Sequence, residues 1–69
     1  NYACIINAAN EVAVAAFLKE KIGFMQITEI ITETLSRVIR ISNPSLNDYI
    51  YSDQEARLTA EQIIEKIKT

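Results

Sequence analysis

One glycine, Gly23, and one proline, Pro44, are the only strong backbone punctuation in this sequence of 69 residues. Such residues mark where regular structure stops, so the chain divides into three pieces. Apolar residues make up 49% of the chain and charged residues 23%, which excludes a disordered tail or a collagen-like repeat. A single cysteine, Cys4, rules out an internal disulfide. Histidine is absent, and with it the commonest general base and the commonest metal ligand.

The first piece covers residues 2–21 and contains six alanines. Ile5, Ala9, Val12 and Ala16 recur at helical spacing on one face. Ile6, Ala13 and Phe17 form a second face, and Val14 and Leu18 a third. A helix apolar nearly all round predicts burial on every side, with alanines that admit close neighbours. Gly23 is expected to stop it in the left-handed conformation, with Lys19 and Lys21 in its last turn.

The second piece predicts a helix over residues 27–40. Ile27, Ile30, Ile31, Leu35 and Val38 form its apolar stripe, with Glu29, Glu33, Ser36, Arg37 and Arg40 mostly opposite. Its β-branched content favours a strand, but its length and 3.6-residue period favour a helix. Glu33 and Arg37 stand in the favourable i,i+4 order.

Ser42, Asn43 and Pro44 form a loop. Ser45, with Asp48 three residues on, predicts a short helix over residues 46–50. Ser52 through Glu55 spell a capping box, which predicts a last helix over residues 53–66. Ala56, Ala60, Ile63, Ile64 and Ile67 give it a narrow apolar stripe, and Asp53–Arg57 and Glu65–Lys68 are expected surface pairs. The expected fold is therefore all-α: a small helical bundle of three main helices plus one short helix.

The chemistry legible in the sequence is sparse. A net charge of −2 and a pI near 4.9 argue against nucleic acid as a partner. The longest uncharged stretch, residues 1–10, is far too short to span a membrane and lacks the features of a signal peptide. One glycine cannot build a phosphate-binding loop, and no Cys/His metal spacing occurs. The carboxylates fall on predicted exposed faces, with no pocket implied to tune them for acid–base work. No catalytic, cofactor-binding or metal residue is assigned.

Asn7, Asn10 and Glu11 are the few polar groups of the first helix. They are read as helix-start caps or partners of buried backbone groups, against the alternative that they face a pocket or a neighbouring domain. Cys4 has no basic neighbour and is read as a buried structural thiol. Tyr2, Tyr49 and Tyr51 are read as core or interface packing.

The run Asn7-Ala-Ala-Asn-Glu-Val-Ala-Val-Ala-Ala-Phe-Leu18, followed by Lys21-Ile-Gly-Phe24, resembles the C-terminal region of the 1-deoxy-D-xylulose 5-phosphate reductoisomerase family. Pro44-Ser45-Leu46 and Asp53-Gln54-Glu55-Ala56-Arg57 extend the resemblance in order, so that it covers nearly the whole chain. Gln26 departs from the pattern, standing where an acidic N-cap is expected and weakening the start of the second helix. Tyr49 and Tyr51 stand where smaller residues are expected.

The resemblance implies a parent that uses NADPH and a divalent metal, Mg or Mn. That parent isomerises and reduces its substrate to 2-C-methyl-D-erythritol 4-phosphate for non-mevalonate isoprenoid synthesis. It also implies a cytoplasmic, dimeric protein whose nucleotide-binding and catalytic domains lie upstream. Residues 1–69 are then expected to be a non-catalytic C-terminal domain. They would be a four-helix bundle missing its first helix, a fragment that begins at Asn rather than Met. Its partner is the upstream catalytic domain, and the exposed chain is expected to self-associate. The competing expectation is an independent helical module for protein–protein interaction or dimerisation.

Overall fold

A computed structural model of the chain describes residues 1–39 and 43–68. Among them, three α-helices follow in order: α1 over Tyr2–Leu18, α2 over Phe24–Arg37 and α3 over Leu46–Lys68. Each helix packs against both others, in a body of 36 × 18 × 16 Å. The all-α expectation holds. Arg40, Ile41, Ser42 and Thr69 lie outside the described residues, and with them the expected loop contribution of Ser42. α2 ends at Arg37, short of the expected Arg40, because Val38 turns to extended φ and ψ of −85° and 132°.

α1 does not stop at Gly23. Its left-handed residue is Glu20, with φ of 60°. The Glu20 N–H donates to the Phe17 carbonyl and the Lys21 N–H to the Ala16 carbonyl, both at 2.9 Å. This crossed pair is a Schellman closure, which satisfies carbonyls that the helix end would otherwise orphan. Lys19 is the C-cap and Lys21 lies beyond it, so neither occupies the last turn.

Gly23 instead begins α2. It is the N-cap, with extended φ and ψ of −85° and 164°. The Gln26 side-chain oxygen accepts the Gly23 N–H at 2.7 Å. Gln26 therefore strengthens the helix start as an N3 residue rather than weakening it as a poor N-cap. α2 accordingly opens three residues before Ile27.

The start of α3 follows the sequence reading. The Ser45 N–H donates to Asp48 Oδ2 at 2.9 Å, and the Asp48 N–H donates to Ser45 Oγ at 3.2 Å. This is a reciprocal capping box with Asp in the acidic place. The expected break at Ser52 does not occur. The short helix over residues 46–50 and the last helix are one continuous element, because nothing between them removes a backbone donor or forces φ positive. Ser52 sits inside the helix, buried, one turn before Ala56.

The core follows the expected stripes. Ala9, Ala13, Ala16, Ile22, Ile30, Ala60, Ile63 and Ile64 form one cluster. Ile5, Ala8, Val38 and Ala56 form a second, toward the start of α1. Alanines from α1 and α3 meet here, so the two backbones approach closely without bulky side chains between them. Thr34 joins the α2 stripe; its hydroxyl donates to the Ile30 carbonyl at 2.7 Å, which lets a polar side chain be buried.

α1 departs from the expectation of burial all round. Ile5, Ala8, Ala9, Ala13 and Ala16 are buried, whereas Ala3, Ile6, Asn7, Asn10 and Leu18 face outward. Two neighbouring helices cover only one side of a third.

Candidate functional site

Two surface features use residues singled out in the sequence. The first is an open groove between α1 and α3, with a volume of about 370 Å³. Glu11, Val12, Ala16, Lys19, Arg57 and Ile64 are among its lining. Arg57 spans the rim. Its Nη2 donates to Glu11 Oε2 at 2.7 Å and its Nε to Asp53 Oδ2 at 2.9 Å. The hydrogen bond to Asp53, and then that to Glu11, raise the guanidinium above its already high ordinary pKa. Arg57 is thus a fixed positive charge clamping α1 to α3.

The second feature is the outward side of α1. Ala3, Asn7, Asn10, Val14 and Leu18 recur there at three- and four-residue spacing, opposite the buried Ile5, Ala9 and Ala16. The stripe carries no charge. Glu11, the charged residue of α1, lies at its edge and is held by Arg57. The patch continues at the α1–α2 corner, where Leu18 is 74% exposed and Phe24 70%. The Phe24 ring meets Phe17 edge-on, with centroids 5.8 Å apart.

Asn7 and Asn10 therefore neither cap the helix nor satisfy buried groups; both are exposed. Capping is impossible at their positions, in the middle of α1. Cys4 is half-buried rather than buried, and its thiol donates to the Tyr49 carbonyl at 3.4 Å. Tyr2, Tyr49 and Tyr51 are exposed, not core: Tyr2 and Tyr49 are in register with the buried residues of α1 and α3 but sit in the first turn of each helix, and Tyr51 lies on the opposite side of α3. Of the expected surface pairs, Glu33–Arg37 forms at 3.0 Å and Asp53–Arg57 at 2.9 Å. The side chain of Lys68 lies outside the described residues.

The profile of the DXP reductoisomerase C-terminal domain matches residues 1–59. The chain belongs to that family. Among curated relatives, the 1-deoxy-D-xylulose 5-phosphate reductoisomerase of Bacteroides fragilis is 44% identical over 64 residues, covering 93% of this chain and 16% of the relative. That of Phocaeicola vulgatus is 45% identical over 64 residues, again 93% of this chain and 17% of the relative. That of Solibacter usitatus is 47% identical over 60 residues, 87% of this chain and 15% of the relative. The chain thus spans about one sixth of the length of the reductoisomerases it matches.

The described residues bring together no cluster of metal-ligating side chains and no glycine-rich phosphate loop. No three His, Cys, Asp or Glu side chains converge among them. Gly23 is an extended helix cap, not part of a phosphate cradle. No described helix is long and apolar enough to cross a membrane.

Sequence reasoning missed Asn1. Its Nδ2 donates to the Ile39 carbonyl at 2.9 Å and to Ser52 Oγ at 2.8 Å, tying the start of α1 to the segment just after α2 and to the N-terminal part of α3. A signal existed: Ser52 lies four and eight residues before Ala56 and Ala60, a polar residue in an otherwise apolar stripe.

Proposed function

We propose that residues 1–69 are the C-terminal domain of a 1-deoxy-D-xylulose 5-phosphate reductoisomerase, with an architectural rather than a chemical role. The family match over residues 1–59 carries this reading. The parent is a cytoplasmic dimer that uses NADPH and Mg or Mn to isomerise and reduce its substrate to 2-C-methyl-D-erythritol 4-phosphate. The cofactor and metal residues lie in upstream domains, consistent with a chain that covers 16% of a relative. The three helices belong to a four-helix bundle whose first helix precedes Asn1, and the bundle packs against the catalytic domain.

The test is to read the coding sequence upstream of Asn1 and assay the encoded protein. An in-frame protein that oxidises NADPH in the presence of 1-deoxy-D-xylulose 5-phosphate and Mg or Mn supports the reading. A start codon within a few residues of Asn1 would overturn it in favour of an independent interaction module.

Without its upstream partner, the 69-residue chain pairs with copies of itself. The uncharged side of α1 supports this, because an uncharged stripe that ends at exposed Leu18, beside exposed Phe24 of α2, favours association. Light scattering at high micromolar concentration should give a mass above that of one chain; a monomeric mass would count against it.

A further inference from the structure

We draw no further inference here: the strongest candidate, the exposed apolar surface patch at the corner where Leu18 ends α1 and Phe24 and Met25 open α2, carries nothing because nothing among the described residues shows what covers it.

Discussion

The Asn1 side-chain amide donates to Ser52 Oγ at 2.8 Å across 51 positions of sequence. The contact explains why a serine is tolerated among the alanines of α3. It also joins the first residue to the N-terminal third of the longest helix. Replacing Asn1 with Ala leaves a buried hydroxyl without this partner, which costs about 1 kcal/mol or more. Replacing Ser52 with Ala removes the hydroxyl from a site already flanked by Ala56, and is expected to cost less. Urea denaturation of N1A, S52A and the double variant checks this. Strictly additive effects would show that the contact contributes nothing.

The continuity of α3 has a sharper test. If Ser52 were an N-cap, Asp53 would be the first helical residue, where proline is well accepted. In the continuous helix, Asp53→Pro removes an interior hydrogen bond and clashes with the preceding turn, costing about 3 kcal/mol or more. A small chain with little stability margin should then lose most of its helical circular dichroism. Retention of full helicity would restore the broken-helix reading.

The apolar stripes of α2 and α3 were legible because they depend on period alone. Ile30, Ala56, Ala60, Ile63 and Ile64 are buried as their spacing requires. The start of α3 was legible because Ser45 and Asp48 act locally. What could not be read depended on tertiary contact. The Ser52-Asp53-Gln54-Glu55 run matches a capping box locally, yet packing against α1 and the Asn1 amide keep it inside a helix. Likewise the alanines of α1 announce close neighbours without saying how many, so the exposure of Asn7 and Asn10 followed only from the placement of α2 and α3.

Glu20 holds the left-handed position that the sequence reading assigns to Gly23. A non-glycine residue there is strained, so Glu20→Gly should stabilise the chain by about 0.5–1 kcal/mol. Gly23 has a negative φ, and a Cβ there meets no atom nearer than Gln26 Oε1 at 3.8 Å. Gly23→Ala should therefore change stability by less than about 0.5 kcal/mol, a lost N-cap preference offset by a stiffer unfolded chain. Thermal melts that rank the two variants in the opposite order would contradict the Schellman assignment.

Arg57 links Glu11 and Asp53, but its side chain is 40% exposed, which limits the pair energies to about 0.5 kcal/mol each. Arg57→Gln should cost about 1 kcal/mol or less at low salt, and the difference should shrink in molar NaCl as screening shortens. The folded chain raises the pKa of Arg57, so its titration favours folding wherever the guanidinium is charged in both states. That contribution is lost only at alkaline extremes, as pH rises through the folded value. Titration of Arg57 itself should give no slope in stability across neutral pH. An R57Q penalty that survives molar salt would point to packing by the arginine stem instead.

The two sides of α1 should answer to substitution in opposite ways. Ala9 and Ala13 are fully buried where α1 meets the rest of the core, with no room for a longer side chain. Ala13→Leu forces the helices apart and should cost about 1–3 kcal/mol, enough to unfold much of a chain this small. Asn10 faces solvent three residues earlier. Asn10→Lys breaks no contact of this fold, so its effect in the 69-residue chain should stay within about 0.5 kcal/mol. Urea melts of A13L and N10K separate the two faces. A large loss of stability in N10K at high dilution would mean that the outward side of α1 supports the fold itself.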